Sequence, residues 1–358
     1  MRRFDYRWIE DCLWDGEVVS LLSQIHEYKG RQDLFVSQRP SSVARFVDIA
    51  KVQSVESSNR IEGIVTTKAR IRSLVADKTT PSNRDEEEIM GYRDVLNTIH
   101  ENYEYIDLTR HIVLQLHRDL YAYSHKGIGG QYKNVQNSII ERLADGSEVE
   151  RFKPLAPYET PAAIDEICQG VNAVLQDKSV DPLLVIPVFI HDFLCIHPFN
   201  DGNGRMSRLL TTLLLYQNGY MIGKFISLEQ KIERTKDSYY AVLAQSGAGW
   251  HTGDEDVVPF VKYMLRVILA AYRDFESRIA LLNTSLSAKD RIKIIISATI
   301  GKITKSGILE KQPDIAVSTV EKALKELVED GFIERHGVGR STFYVKVSQK
   351  ISFHAKYI

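Results

Sequence analysis

The chain has 358 residues, 44% of them hydrophobic and 26% charged, with a formal net charge of -1. That length suffices for one large core plus a smaller domain, and the near-neutral balance excludes a global field that would make nucleic acid or a membrane surface the main partner. Three cysteines, Cys12, Cys168 and Cys195, stand far apart without metal-ligand or redox spacing and read as apolar fillers in a reducing compartment. The opening residues 1–8 have a basic flank with no apolar run behind it, so no signal peptide is read and a cytoplasmic location is the default.

In chain order, apolar residues recur at threes and fours over 42–57, 67–76, 85–103, 108–123, 162–175, 182–196, 205–217, 228–244 and 256–282, which predicts a mainly α protein. The most apolar of these, 182–196, is interrupted by Pro187, His191 and Asp192 and reads as a buried helix, not a membrane span. One stretch breaks the helical pattern. Residues 126–157 carry Gly127, Gly129, Gly130, Gly146, Pro154 and Pro157 with β-branched pairs between them, which predicts a β-hairpin flap inside the helical domain. Residues 284–289 read as a short linker. Beyond them the pattern becomes helix, helix, helix, hairpin. Ser318-Thr319 is the expected N-cap of the third helix, with Leu324, Leu327 and Val328 on one face and Asp330-Gly331 as its stop. Residues 332–335 and 342–345 alternate as strands around Gly337–Gly339, a layout that resembles a winged helix-turn-helix.

The chemistry concentrates in residues 197–208, His-Pro-Phe-Asn-Asp-Gly-Asn-Gly-Arg-Met-Ser-Arg. Gly202 and Gly204 allow close backbone approach to a ligand. The loop leads into a helix beginning near Gly204, whose orphan N–H groups and positive dipole end favour an anion. Arg205 and Arg208 are three apart, so both can lie near one face, and two guanidiniums there suit phosphate oxygens. Asp201 places a hard oxygen beside that anion site, the donor Mg²⁺ uses when it bridges a carboxylate and nucleotide phosphates. His197 supplies a base suited to proton transfer near neutrality.

This segment resembles the signature of the Fic family, His-Pro-Phe-x-Asp/Glu-Gly-Asn-Gly-Arg-x-x-Arg, with every specified position filled. The resemblance extends over roughly residues 40–270, including Gly130-Gln131-Tyr132-Lys133 and the hairpin after it, which is similar to the family's flap for docking a target segment by strand addition. It implies a protein adenylyltransferase. His197 would deprotonate a Ser, Thr or Tyr hydroxyl of a target protein, the oxygen would attack the α-phosphate of ATP, and pyrophosphate would leave. Asp201 would hold Mg²⁺ across the α and β phosphates, Gly202, Asn203 and Gly204 would cradle the anion, and Arg205 and Arg208 would hold the β and γ phosphates. Phe199 would anchor the loop from the core. Tyr239 and Tyr240 would border the adenosine pocket, although ordinary helix packing explains them equally well. His191, one turn before the motif, reads as structural.

Ser58-Asn59-Arg60-Ile61-Glu62-Gly63 resembles the family's inhibitory motif, Ser/Thr-x-x-x-Glu-Gly/Asn. Ser58 and Glu62 share a helical face, and Gly63 can end the helix as a left-handed cap. The resemblance implies that Glu62 pairs with Arg208 and removes the γ-phosphate's partner. The expected organisation is a helical region at 1–100 with an inhibitory helix at about 42–63, a Fic core at 101–285 and a winged-helix-like domain at 288–348. In the last, basic residues slightly outnumber acidic ones, but Glu321, Glu326 and Glu329 on the proposed recognition helix are unhelpful near phosphates; Arg340 at the wing tip suits DNA best. DNA or protein contact by this domain and homo-oligomerisation stay open. The alternatives to transfer are a DNA-binding regulator that uses the nucleotide site as a sensor, for which an intact His197 is superfluous, and an enzyme that removes AMP with Glu62 positioning a water.

Overall fold

The most apolar segment of the chain becomes its central helix. The computed structural model describes residues 4–38, 40–142, 148–283, 287–299, 301–312 and 315–347. The chain divides into two compact units, residues 1–273 and 274–358. In chain order the elements up to that division are α1 (Gly16–Gln38), α2 (Pro40–Ile61), α3 (Lys68–Val75), α4 (Arg84–Asn102), α5 (Arg110–Leu120), the antiparallel hairpin β1 (Ile139–Arg142) and β2 (Glu148–Phe152), α6 (Thr160–Asp177), α7 (Pro182–Ile196), α8 (Asn203–Gln217), α9 (Ile222–Phe225), α10 (Leu228–Arg234), α11 (Lys236–Gly247) and α12 (Val258–Asn283), within which the division falls.

α7 starts where Asp181 accepts a hydrogen bond from the amide of Leu183 at 2.9 Å and Pro182 occupies the first turn, where its missing N–H removes no helical bond. Every residue from Leu183 to Ile196 is buried, and each fully buried Leu, Ile or Phe stabilises by about 1.5–3 kcal/mol relative to exposure. α6 and α8 pack against it. That packing holds the helix together across Pro187, which lacks an amide donor. The buried Asp192 carboxyl accepts from Tyr6 Oη at 2.9 Å and Trp250 Nε1 at 2.6 Å, so its burial is compensated.

Three features differ from expectation. α1 has no sequence signal because its buried stripe, Val18, Leu21, Ile25 and Gln32, is narrow and ends on a polar residue. The segment 228–244 forms two helices, broken at Thr235, whose hydroxyl bonds Lys231 O at 3.0 Å and Tyr263 Oη at 2.8 Å. In the second unit, Ser318-Thr319 is not the N-cap. Ala316 is, because the buried positions Val320, Ala323, Leu324 and Leu327 set a helix that begins two to three residues earlier.

That second unit contains α13 (Ala288–Ala298), β3 (Lys302–Ile303), α14 (Lys305–Lys311), α15 (Val317–Glu329), β4 (Ile333–His336) and β5 (Phe343–Lys346), with an antiparallel sheet ordered β3-β5-β4. It has its own core around Ile292, Ile296, Ile308, Leu324, Leu327 and Ile333. Gly331, at φ 67, turns the chain from α15 into β4. The linker residues 284–286, the flap tip 143–147 and the side chain of Arg340 lie outside the described set. Among the described residues no helix is long and apolar enough to cross a membrane.

Candidate functional site

α7 ends at His197, which takes a left-handed backbone conformation (φ 51) as C-cap and donates its amide to Phe193 O at 2.9 Å. The chain then turns at Gly202 (φ 86) and enters α8 at Asn203. A Cβ at Gly202 would meet the Tyr121 ring at 3.0 Å. Between the helices the loop is pinned to the core. Phe199 is fully buried, and the Asn203 side chain both accepts from its amide (2.9 Å) and donates to its carbonyl (2.8 Å). The Asn203 side chain thus spends its oxygen and one amide proton on holding the loop. The His117 ring stacks on Phe199 with centroids 3.6 Å apart. Gly130 N–H donates to His117 Nδ1 at 3.0 Å, which forces the proton onto Nε2, and Nε2 lies 3.0 Å from the carbonyl of Asp201. One imidazole thus ties the flap root to the loop.

His197 is half-buried. Its Nδ1 faces Leu194 O at 3.3 Å, so Nδ1 carries the proton and Nε2 keeps its lone pair. Burial pushes its pKa down to about 4, helped by the charge of Lys133 and opposed by the bond to Leu194 and the charges of Glu62 and Asp201. The ring is neutral at pH 7.

Asp201 Oδ2 accepts from Lys126 Nζ at 2.7 Å and Oδ1 from Gly202 N–H at 2.7 Å. Burial works to raise its pKa, but these bonds with the charges of Lys126 and Arg205 hold it below the usual aspartate value. Lys126 also lies 2.9 Å from the buried Glu88. Glu88 pairs with Arg205 Nη2 at 2.8 Å, and the same nitrogen donates to Tyr121 Oη at 2.7 Å. Arg205 is 1% exposed, and its Nε and Nη1 have no acceptor among the described residues.

Arg208 leaves the same helix in a different direction. Nε donates to Ser58 Oγ at 2.8 Å, and Nη2 donates to Ser58 O at 3.0 Å and Glu62 Oε1 at 2.7 Å. α2 closes just beyond, with Gly63 at φ 80 and bonds from Gly63 N to Arg60 O and Ile64 N to Asn59 O, the paired pattern of a left-handed helix cap. Glu62 reaches across to the first turn of α8. A Cβ at Gly204 would lie 2.2 Å from Glu62 Oε1, so the carboxylate lies against the first turn of α8, the end where amides have no intrahelical acceptor. Lys236 Nζ holds Ile61 O at 2.6 Å and Arg60 pairs with Glu233 at 3.0 Å, fixing the end of α2 to α10 and α11. Tyr239 is buried against Phe260 and Tyr263, and Tyr240, 42% exposed, packs edge-on against it.

The structure thus gathers His197, Phe199, Asp201, Gly202, Asn203, Gly204 and Arg205 on one loop and helix start, and brings Ser58 and Glu62 to Arg208. It adds His117, Tyr121, Glu88 and Lys126, which no local motif marks because their partners lie far along the chain.

The buried histidines give a first expected outcome. Burial pushes His100 down to about 3 and His117 down to about 4, whereas the unfolded chain takes up these protons near about 6.5. The unfolded state then binds more protons, so the stability of the neutral rings is complete above about 6.5 and is lost as pH falls towards 4. Denaturant unfolding at pH 5 should give a free energy on the order of 4 kcal/mol below that at pH 7.5, about 2 kcal/mol for each ring. Equal stability at both would mean the rings are not held neutral.

Residues 107–215 match the Fic/DOC family model. The chain is 26% identical over 301 residues to protein adenylyltransferase Fic of Drosophila melanogaster, covering 81% of this chain and 54% of that protein. It is 24% identical over 234 residues to the protein of the same name from Nematostella vectensis, covering 62% and 48%. The chain therefore spans about half the length of the relatives it matches. Among solved structures, it resembles a Fic family protein from Desulfovibrio desulfuricans G20 with a TM-score of 0.62 at 20% identity, over 94% of this chain and 98% of that one. A Fic domain containing signaling protein from Bacteroides thetaiotaomicron aligns with a TM-score of 0.58 at 24% identity, over 72% and 95%. The mainly helical fold is that of these Fic structures, and residues 107–215 match the Fic/DOC family model.

Proposed function

We propose that this chain transfers AMP from ATP to a Ser, Thr or Tyr hydroxyl of another protein and that α2 restrains the reaction. The observation that carries the reading is the juxtaposition of a neutral His197, its Nε2 free to accept, with the N-terminus of α8 and two arginines. His197 Nε2 takes the hydroxyl proton. The oxygen forms a bond to the α-phosphorus, the bond from that phosphorus to the bridging oxygen breaks, and pyrophosphate leaves with its electron pair. The helix N-terminus, together with the unsatisfied donors of Arg205, suits the phosphate charge.

Asp201 fits a metal that arrives with the nucleotide. It is ionised and accessible beside the anion site, while the described residues contain no group of three His, Cys, Asp or Glu able to hold an ion alone. That is the pattern Mg²⁺ uses with phosphate substrates. Bound there, Mg²⁺ would neutralise phosphate oxygens, and Lys126 would exchange Asp201 for Glu88, which it already touches.

ATP labelled on the α-phosphate should leave covalent label on protein and ATP labelled on the γ-phosphate should not. Asp201→Ala or EDTA should remove the transfer. Label from the γ position would make the chain a kinase-like enzyme instead, and EDTA-resistant transfer would take Mg²⁺ out of the account. Each strand of the two-stranded β1–β2 hairpin has one edge without a strand partner among the described residues, which supports docking of an extended target segment by backbone pairing. In the same assay Glu150→Pro, which deletes an amide in β2, should impair target labelling more than ATP binding; equal loss of both would argue against the flap.

The order of elements in the C-terminal unit supports a winged-helix module. DNA regulation is the weaker reading, because Lys289, Lys305 and Lys325 all pair with acidic groups on or next to α15.

A further inference from the structure

His197 holds a left-handed backbone (φ 51), which costs a residue with a side chain about 1–2 kcal/mol. Such a conformation persists only where its surroundings over-determine it. The residues on either side of His197 are Ile196 and Pro198, and Lys133 holds the carbonyls of both. Its Nζ donates to Ile196 O at 2.8 Å, and its backbone N–H donates to Pro198 O at 2.8 Å. Asn137 extends the clamp. It accepts from Lys133 Nζ at 3.2 Å and donates through Nδ2 to Phe199 O at 3.2 Å. Asn134 Oδ1 accepts from Asn200 Nδ2, also at 3.2 Å. The segment entering the flap is therefore laced to four positions, 196 and 198 to 200, that flank the histidine.

Lys133 is 3% exposed, and burial lowers its pKa to about 8. Burying an ammonium is expensive unless it is hydrogen-bonded, and an apolar side chain would fill the same space without that penalty. What the ammonium adds is a donor for Ile196 O and Asn137 Oδ1. We propose that Lys133 is a positioning residue, whose ammonium fixes the turn at His197 and so aims the imidazole at the hydroxyl it deprotonates. This rests on the reading of His197 as the general base. The ATP contacts assigned to α8 and Arg208 do not pass through Lys133, so its loss separates turnover from nucleotide binding.

The test uses the full chain carrying Glu62→Gly, with transfer measured under saturating and limiting ATP. Lys133→Met keeps the apolar stem and removes the donors. A misplacement of roughly 1 Å at a reacting group costs up to about 10²-fold, so kcat should fall about 10- to 100-fold with the KM for ATP unchanged within about two-fold. Lys133→Arg, which retains a donor, should recover most of the rate. Asn137→Ala should show the same split with a smaller loss, and it decides the matter if Lys133→Met melts early. Parent-like kcat in Asn137→Ala or in a folded Lys133→Met overturns the proposal, as does a parallel rise in KM or failure of Lys133→Arg to rescue. His197→Ala is run beside them. If His197→Ala is inactive while Lys133→Met matches the parent, only the clamp is wrong; if His197→Ala keeps the parent's rate, the base assignment itself fails and the clamp has no target.

Discussion

Replacing His197 with alanine should lower the rate of AMP transfer by about 10²–10⁴-fold, the usual contribution of a positioned general base, with ATP affinity nearly unchanged. The split follows from geometry. The groups proposed to hold the phosphates, the first turn of α8 with Arg205 and Arg208, draw their positions from Glu88, Tyr121 and Ser58 and not from the imidazole. The ring itself is placed for one task. Its Nδ1 proton is committed to Leu194 O, so only Nε2 is left to accept. Its depressed pKa keeps that nitrogen unprotonated in the free protein, and the negative charge of bound nucleotide shifts the value upward, towards the range where a base works best. Single-turnover transfer and ATP binding measured on the same preparation check this. Transfer by His197→Ala at the parent's rate would remove proton abstraction by this residue from the mechanism.

How far the sequence exposes this site depends on how local each interaction is. The motif loop is contiguous, and its glycines, carboxylate, arginines and histidine point to phosphate chemistry before any coordinates. The hairpin is legible for the same reason, since Gly and Pro punctuate it. Arg205 shows the limit. Three positions from Arg208 on one helix, it reads as a second arm on the same ligand, and the fold adds Glu88 and Tyr121 as buried partners that hold one of its nitrogens. Nothing near residue 205 announces those partners. His117 is similar: its stacking on Phe199 and its bond to the carbonyl of Asp201 exist only once α5 packs on the loop. The break at Thr235 and the earlier start of α15 are likewise set by tertiary bonds and burial that override local cap signals. Tyr239 packs against Phe260 and Tyr263 and also feels the charges of Arg208 and Glu62, contacts that no local spacing announces.

Substituting Glu62 with glycine should increase AMP incorporation well above the parent chain, including labelling of the protein itself. Glu62 lies 2.7 Å from Arg208 Nη2, and its Oε1 presses on Gly204 at the first turn of α8. It therefore holds two features that suit phosphate, a guanidinium and a helix N-terminus, with a carboxylate of its own. A nucleotide entering beside that carboxylate meets like charge where its terminal phosphates belong, and in-line attack at the α-phosphate is sensitive to such displacement. Removing the carboxylate frees both features. The rest of the contact remains, because Ser58 still accepts from Arg208 through Oγ and its carbonyl, while Lys236 and Glu233 still hold the end of α2. The helix should stay in place and the sign of the effect becomes diagnostic. Damage to a structural helix end lowers activity, whereas release of a restraint raises it. The double change Glu62→Gly with Arg208→Ala should lose the gain, since the freed partner is gone. Intact mass after incubation with ATP reads both variants directly, each added AMP appearing as a discrete step. If Glu62→Gly transfers no more than the parent across several nucleotides and protein targets, the Glu62–Arg208 pair is a structural tie between α2 and α8, and control of the site lies elsewhere.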